Sequence, residues 1–481
     1  MRKSIITTTL EKYRELPLTL KAGLWFAICA AYQQGLNLLL TPVFTRLLSI
    51  EEYGLYNLYA SWTTLITAFI TLNIAGGVFN NAMIKFKDNI QSYMSSMIGL
   101  ISIIGIVFLG LCDLGYDWLN QAIKLPLHWI VLMVFQIITS FSFALWTAKE
   151  RFDFQYKRYC VVSFISFTLQ FLCSILVLLL CSNKVEAKIY VSAGLQILEG
   201  ILFSILICKR GKTFFCRSFW SYAISFSIPL LPHYLSQIVL NQSDRVMISW
   251  FCSEDAVGLY SLAYNIAIAI SFVTSCINTV FIPFTYKKIE QNDFKSINKV
   301  SKKLLVLVLC FVSLVCLFAP EFVCLLGSRK YLASVRVVPP VVVGLFFVFV
   351  YTLFANVEFF FEKKYFIAIA SSVVAVINIL LNYIFIPLHG YAAASYTTLF
   401  CYLLYAVIHY FFMSYTCKQK NIRAIYDMRF ILILSIVGLS VVVISLLLYS
   451  LPNIYRFICF VIFLVSVFIL RKKLILFLKD N

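Results

Sequence analysis

The run LLVLVLCFVSLVCLFA, at residues 304–319, is almost entirely apolar and shows no alternation of polar and apolar residues. A strand of a membrane barrel would alternate over about ten residues, whereas a helix satisfies its own backbone hydrogen bonds in lipid. Similar runs of about 20 residues recur along the chain, and that length lets a helix cross the hydrocarbon core of a bilayer. The sequence therefore predicts an all-α polytopic membrane protein.

We predict fourteen transmembrane helices from these runs. Their approximate limits are residues 20–41, 53–75, 93–114, 127–148, 159–181, 188–208, 221–243, 257–280, 303–326, 335–357, 365–386, 391–414, 429–450 and 453–470. Composition agrees, because 62% of the 481 residues are hydrophobic and 13% are charged, whereas soluble domains are about half apolar and a quarter charged. The first residues are polar and charged, unlike a cleaved secretory signal, so we expect the first span to stay in the mature protein.

The formal net charge of +19 is explained by membrane orientation. Basic residues concentrate in alternate loops, such as 209–217 and 287–303. With the N-terminus in the cytoplasm these loops are all cytoplasmic, as the positive-inside rule requires, and an even number of spans returns the C-terminus to the same side. The charge therefore does not indicate a nucleic-acid partner.

Motifs of catalysis and metal binding are missing from the sequence. The fifteen cysteines lie mostly in apolar spans and none has CxxC spacing, so we interpret them as small core hydrophobes. The four histidines are scattered, and there is no Walker loop and no HExxH. We predict neither an enzyme nor an ATP-driven pump, with no catalytic residues and no metal site.

A repeated stretch links two parts of the chain. SIEEYGLYNL (49–58) and SEDAVGLYSL (253–262) agree at five of ten positions without a gap. The first lies between spans 1 and 2 and the second between spans 7 and 8, so six spans separate them. An even number preserves orientation and predicts parallel repeats, as in secondary transporters. We predict a six-helix lobe (1–218), a second six-helix lobe (219–417) and two additional helices with a basic tail (418–481).

The local interpretation of the repeated stretch is a polar turn that caps the following helix. Acidic residues precede the glycine in both copies, and they favour the positive end of a helix. We expect the tyrosines to lie at the water interface. The alternative is chance recurrence of Gly-Leu-Tyr in a chain rich in Leu and Tyr.

Two segments carry a resemblance to a known family. LLLTPVFTRLLSIEEYGLYNLYASW (38–62) and NQSDRVMISWFCSEDAVGLYSLAYNIA (241–267) resemble polysaccharide flippases, or O-antigen translocases, of the multidrug, oligosaccharidyl-lipid and polysaccharide exporter superfamily. The resemblance implies a bacterial inner-membrane transporter that moves undecaprenyl-diphosphate-linked oligosaccharide outward by alternating access. It also implies membrane lipids as surroundings and the polysaccharide polymerase machinery as a partner.

A large hydrated head group needs a polar cavity, and polar residues inside spans are costly unless they face such a cavity or one another. The candidate cavity residues are Arg46, Glu199, His233, Asn241, Asp244, Arg245 and Arg336. Arg245 could contact phosphate through its guanidinium donors, with Asp244 orienting it or binding a coupling proton. The alternative for this adjacent pair is a charged cap at the end of a helix.

The other candidates also have two interpretations. Glu199 is a cavity or proton-coupling acid, or a carboxyl that hydrogen-bonds a neighbouring helix. His233, which follows two prolines, is a gate or an interhelical histidine, while Arg46 and Arg336 are cavity cations or interfacial anchors. Amides in the spans, including Asn241, either bind sugar hydroxyls or join helices to each other.

We expect no cofactor, with Na⁺ or H⁺ as possible coupling ions. An ion-coupled multidrug exporter of the same superfamily is the alternative function. A sugar-polymerising membrane enzyme is disfavoured, because the sequence has no long loop on the outer side.

Overall fold

The computed structural model describes residues 17–115, 121–422 and 424–462, and this part of the chain contains helices and turns but no strand. The α-helices are α1 (Leu18–Leu47), α2 (Ile50–Thr71), α3 (Phe79–Lys85), α4 (Ile90–Leu114), α5 (Leu127–Phe152), α6 (Tyr156–Leu180), α7 (Lys184–Gly211), α8 (Arg217–Phe251), α9 (Glu254–Glu290), α10 (Phe294–Leu317), α11 (Ala319–Gly327), α12 (Val338–Phe360), α13 (Lys364–His389), α14 (Ala392–Gln419) and α15 (Met428–Tyr449). Two 3₁₀ segments, Lys87–Asn89 and Arg329–Val337, precede α4 and α12. The all-α prediction is confirmed.

Eleven helices in the described part, α4 to α10 and α12 to α15, are long and apolar enough to cross a membrane. The chain is therefore a multi-pass membrane protein. Helices α1 and α2 contain 30 and 22 residues but are not among the eleven. A shorter apolar helix, Asn453–Ile462, occupies the described half of the last predicted span. The count of fourteen stays a prediction.

One predicted span is interrupted. The continuous span 303–326 is wrong, because α10 ends at Leu317 and α11 begins at Ala319. Pro320 explains the break: its ring removes a backbone donor, which is tolerated only in the first turn of a helix. The 3₁₀ segment that follows α11 carries the chain to Val338, where α12 begins with Pro339 and Pro340 in its first turn.

The repeated stretch begins a helix in both places. Ser49 caps α2 with a complete capping box: its hydroxyl accepts from the Glu52 amide (3.0 Å) and its own amide donates to the Glu52 carboxylate (2.7 Å). Ser253 caps α9 by accepting from the Ala256 amide (3.3 Å). Such caps stabilise a helix by about 1 kcal/mol. The capping interpretation is confirmed.

Two aspartates outside the spans also begin helices, and each is held by a lysine. Asp293 caps α10 and accepts from Lys288 (2.7 Å), which lowers the pKa of Asp293 to about 2. Asp427 caps α15 and accepts from Lys302 (2.6 Å), which lowers the pKa of Asp427. Both carboxylates are therefore ionised at neutral pH.

Contacts along the chain define two compact units, Met1–Leu235 and Ser236–Asn481. In the first, α5 packs against α7 and α1 against α6. In the second, α12 packs against α14 and α9, and α13 against α14. Helix α12 is the buried centre of the second unit, since 83% of the residues in its 18-residue apolar stretch are buried. The predicted lobe limits of 218 and 417 stay predictions.

Candidate functional site

An extensive buried polar cluster is centred on Asp244, within the second unit. Helix α8 continues through this residue to Phe251, beyond the predicted limit of 243, so Asp244 and Arg245 do not cap the end of the helix. The Asp244 side chain is 0% exposed, and both of its oxygens are hydrogen-bonded. Oδ1 accepts from Asn382 (2.7 Å), and Oδ2 accepts from Thr398 (2.8 Å) and from the Tyr260 hydroxyl. Four helices, α8, α9, α13 and α14, therefore meet at one carboxylate.

A second layer of polar groups surrounds these contacts. The Asn382 carbonyl oxygen accepts from the Thr397 hydroxyl, and its amide also donates to Asn378 Oδ1 (3.3 Å). Asn378 Oδ1 accepts in addition from Ser243 (3.2 Å). Asn378 and Asn382 lie one turn apart on the same face of α13. We call Asp244, Tyr260, Asn378, Asn382, Thr397 and Thr398 the Asp244 network.

The Asp244 network contains one carboxyl group, and no cation in the described residues pairs with it directly. No lysine, arginine or histidine nitrogen lies within 4.0 Å of the Asp244 carboxylate in the described residues, including the adjacent Arg245. Neighbouring residues point about 100° apart on a helix, which separates the two side chains. Burying a lone charge is costly. The network thus suits a carboxyl that takes up a proton or a small cation.

Arg245 lies beside the network and is 6% exposed. Its Nε donates to Ser261 (3.1 Å), and one terminal nitrogen donates to the Asn241 carbonyl (3.0 Å) and to Gln242 Oε1 (3.3 Å). The guanidinium also lies 4.6 Å from the centre of the Tyr264 ring, a cation–π contact. The protein therefore holds this cation with neutral oxygens and a ring.

Asn241 joins the same neighbourhood from an exposed position on α8. Its side-chain oxygen accepts from the hydroxyls of Tyr264 (3.0 Å) and Tyr402 (3.4 Å). The structure thus brings Asn241, Asp244 and Arg245 together on one stretch of α8.

The other predicted site residues lie elsewhere. Arg46 is exposed in the last turn of α1, where it donates to the Pro42 carbonyl (3.5 Å). Glu199 is half-buried on α7, and His233 is half-buried on α8, with its ring 5.7 Å from that of Tyr234. These belong to the first unit, while Arg336 is exposed in the 3₁₀ segment before α12. Their roles in a cavity stay predictions.

Sequence reasoning missed Tyr260 as a site residue. We expected the tyrosines of the repeated stretch at the water interface, and for Tyr260 this is wrong, since the side chain is completely buried. Its hydroxyl needs a buried acceptor, and Asp244 supplies one. The repeat itself was the available signal, because it singled out this tyrosine.

Sequence reasoning also missed a buried cation in the first unit. Lys188 of α7 is 2% exposed, and its ammonium donates to Ser174 (2.6 Å) and Ser192 (2.5 Å). The same ammonium lies 5.0 Å from the Phe44 ring centre and 5.4 Å from that of Tyr56. Within the described residues no carboxylate lies within 4.0 Å of it.

A buried contact between a histidine and a glutamate was missed as well. His409 Nδ1 lies 2.9 Å from Glu358 Oε1, and both side chains are 0% exposed. Glu358 Oε2 and His409 Nε2 have no hydrogen-bond partner among the described residues. The rings of Tyr351 and Tyr405 lie 5.4 Å and 4.6 Å from the imidazole. In the sequence His409 was one of four scattered histidines, with nothing to indicate a partner 51 residues away.

Comparison with protein families gives a match over more than half of the chain. The family described as "Polysaccharide biosynthesis protein" matches residues 19–288. The matched region contains both copies of the repeated stretch, with Asp244, Arg245 and Tyr260, and it ends before Glu358 and His409.

Individual relatives and solved structures are more distant. The "Lsg locus putative protein 1" of Haemophilus influenzae is 22% identical over 262 residues, which is 53% of this chain and 62% of the relative, less than two thirds of its length. The lipid II flippase MurJ in an inward closed conformation has a TM-score of 0.70 at 14% identity, covering 93% of this chain and 99% of that chain. An inward-facing multidrug resistance MATE transporter has a TM-score of 0.59 at 12% identity, covering 82% and 96%. These structures show a shared all-α fold.

Proposed function

This chain belongs to the polysaccharide biosynthesis protein family, and we propose that it is a flippase for undecaprenyl-diphosphate-linked oligosaccharide. It moves the repeat unit of a surface polysaccharide, such as the O-antigen of lipopolysaccharide, from the cytoplasmic to the outer face of the bacterial inner membrane. The family match over residues 19–288 carries this proposal. The fold shared with a lipid II flippase supports it.

Electrostatics favour this direction of transport. An inside-negative potential of about 100 mV favours moving each negative charge outward by about 2.3 kcal/mol. A diphosphate head group is therefore assisted by the potential, whereas a cationic drug would move against it. Both termini are cytoplasmic in this proposal, and the polymerase machinery receives the oligosaccharide on the outer face.

The Asp244 network is the proposed coupling site. A carboxylate surrounded by amide and hydroxyl oxygens is the ligand type that hard cations prefer, and the same carboxyl can take up a proton. Na⁺ and H⁺ are therefore the two candidate coupling ions. Binding either ion neutralises Asp244 and changes its contacts with Tyr260, Asn382 and Thr398, which lie on three different helices. An ion shifts the access equilibrium only if it binds the two states unequally, and a carboxyl shared by four helices can meet that condition.

Arg245 is the proposed cation for the diphosphate. The guanidinium fork matches phosphate geometry, and in this conformation its Nε and one terminal nitrogen contact Ser261, Asn241 and Gln242. Binding a diphosphate exchanges some of these neutral contacts for a charged one, which is the stronger kind of hydrogen bond.

The sidedness of the lipid-linked oligosaccharide tests the function directly. In cells depleted of the protein we expect it to accumulate on the cytoplasmic face, and we expect the intact chain to restore outward delivery. Arg245→Ala should fail to restore delivery, while Arg217→Ala, which removes an exposed arginine at the start of the same helix, should succeed. Normal delivery in depleted cells that also lose efflux of cationic dyes would overturn the proposal in favour of a multidrug exporter.

Ion coupling needs a separate measurement in proteoliposomes. Outward transport of a labelled undecaprenyl-diphosphate oligosaccharide should accelerate under an imposed gradient of Na⁺ or of H⁺, but not of both. In Asp244→Asn, which keeps the shape of the side chain, transport should no longer respond to either gradient. An unchanged response in this variant would remove Asp244 from the coupling mechanism.

A further inference from the structure

One end of the first unit contains a small charged cavity. Here the start of α4, the end of α5, the start of α6 and the end of α7 enclose about 110 Å³. Ser92 donates to the Gly211 carbonyl (3.1 Å), and a Cβ on Gly211 would lie 2.2 Å from the Gln91 carbonyl oxygen. The ends of α4 and α7 are therefore in direct contact at this cavity. We call it the helix-end cavity.

Three cations from three helices line the helix-end cavity. They are Lys149 of α5, Arg158 of α6 and Arg210 of α7. Lys149 is paired with Asp153 one turn later (2.5 Å). Neither guanidinium has a carboxylate within 4.0 Å in the described residues. Two exposed guanidinium groups at one cavity suit a phosphate, because arginine matches phosphate oxygens with paired donors.

Glu150 lines the same cavity and carries the opposite charge. Glu150 is 5% exposed, and one carboxylate oxygen, Oε2, is buried without a hydrogen-bond donor from any residue that the structure describes. An unpaired buried oxygen of this kind is unfavourable, so it indicates a ligand that brings a donor. Glu150 also lies in the last turn of α5, where the partial negative charge of the helix end favours a cation.

A ligand that pairs with the two arginines and also with the Glu150 carboxylate must carry a phosphate and a positively charged donor close together. The cavity lies at the ends of membrane-spanning helices, and it is bordered by Trp146 and by Leu206, which is half exposed. Tryptophan is enriched at the depth of lipid head groups, and basic pockets between spanning helices bind such head groups.

We propose that the helix-end cavity binds the head group of an aminophospholipid such as phosphatidylethanolamine. Its phosphate contacts Arg158 and Arg210, and its primary ammonium donates to Glu150 Oε2. Nothing in this assignment depends on which substrate the protein transports. Free phosphate and the diphosphate of a lipid carrier share the phosphate chemistry but lack the ammonium, and this difference separates the possible sources.

Lipid binding to the purified full chain tests the proposal, by native mass spectrometry with defined lipids. Phosphatidylethanolamine should bind about tenfold more tightly than phosphatidylglycerol, the gain expected from one hydrogen bond to a charged group. Glu150→Gln should abolish this preference while retaining phosphatidylglycerol binding. Arg158→Ala combined with Arg210→Ala should weaken the binding of both lipids.

Matched controls use lysines that neighbour the cavity residues in sequence but do not line the cavity. Lys157→Ala combined with Lys209→Ala removes the same net charge and should leave the tenfold preference unchanged. Equal binding of the two lipids to the native chain would overturn the proposal, as would displacement of phosphatidylethanolamine by inorganic phosphate or by undecaprenyl diphosphate.

A lipid series keeps the test independent of any variant that fails to fold. Phosphatidylcholine keeps the phosphate and the positive charge but has no N–H donor. With the native chain, stepwise methylation of phosphatidylethanolamine should weaken binding, and phosphatidylcholine should bind no better than phosphatidylglycerol. Binding that is indifferent to methylation would exclude Glu150 Oε2 as an acceptor for the ammonium.

Discussion

Both copies of the repeated stretch begin a helix with a serine cap, but their tyrosines contact buried groups of opposite charge. An offset of 204 residues pairs Tyr56 with Tyr260. The ring of Tyr56 lies over the buried ammonium of Lys188, whereas the hydroxyl of Tyr260 donates to the buried carboxylate of Asp244. A capped helix start is thus a shared architectural feature, and the charge on a neighbouring helix decides what each tyrosine does.

Both buried charges are held by neutral groups. The Lys188 ammonium contacts two serine hydroxyls and two rings, and the Asp244 carboxylate contacts an amide and two hydroxyls. Glu358 differs, because it is buried against His409. The described residues therefore hold buried ionisable groups in two kinds of surroundings, and substitutions should distinguish them.

The largest loss of stability should follow from breaking the buried contact between Glu358 and His409. His409→Ala leaves Glu358 buried without its partner, and removing one member of a buried pair costs about 3–5 kcal/mol. Combining it with Glu358→Leu removes both polar groups and should recover much of that loss. Urea unfolding of the purified protein in detergent measures the free energy of unfolding of the single and the double variant. If His409→Ala is as stable as the native chain, the contact between Glu358 and His409 contributes nothing to stability.

The next largest difference in stability is expected between phenylalanine variants of Tyr260 and Tyr56. Tyr260→Phe removes a donor from a buried carboxylate and should lower the free energy of unfolding by about 1–3 kcal/mol. Tyr56→Phe keeps the ring that faces Lys188, so its cation–π contact persists and stability should change little. Equal losses in the two variants would contradict the different roles of the two copies.

Alanine variants of the two capping serines should differ in stability by a smaller amount. Ser49→Ala breaks a reciprocal capping box, whereas Ser253→Ala removes a single longer bond. We expect a loss of about 1 kcal/mol for Ser49→Ala and about half of that for Ser253→Ala. Thermal unfolding of the two variants side by side gives the ranking, and a larger loss at Ser253 would reverse the order predicted from the hydrogen bonds.

The smallest effect should come from the unpaired lysine. Lys188→Met keeps a similar volume and removes an ionisable group whose burial is costly. Stability should therefore stay the same or rise, and the response of transport to an ion gradient should remain. A strong destabilisation would mean that the two serines and the rings stabilise the ammonium more than its burial costs.

Much of the fold could be predicted from the sequence because it depends on neighbours along the chain. Apolar runs of spanning length predict helices, and the serines and acids of the repeated stretch predict where α2 and α9 begin. The predicted span 221–243 stops before Asp244, and the sequence left open whether Asp244 and Arg245 end that helix, whereas α8 continues to Phe251. The interruption at Pro320 was missed, because hydropathy does not register a lost backbone donor.

The candidate site could be predicted only in part. Asn241, Asp244 and Arg245 were named because polar residues in an apolar helix are conspicuous. Asn382 and Thr398 bond to Asp244 from 138 and 154 residues away, and no local pattern connects them.

By itself, the sequence determined the all-α membrane class, the capped helix starts and the position of polar residues on α8. Only the tertiary structure decided that Tyr260 faces Asp244, that Glu358 meets His409, and that three cations converge around Glu150. The physical reason is that adjacent residues point about 100° apart on a helix. How each helix is rotated against its neighbours therefore selects which side chains meet, and that rotation is set by packing between segments far apart in the sequence.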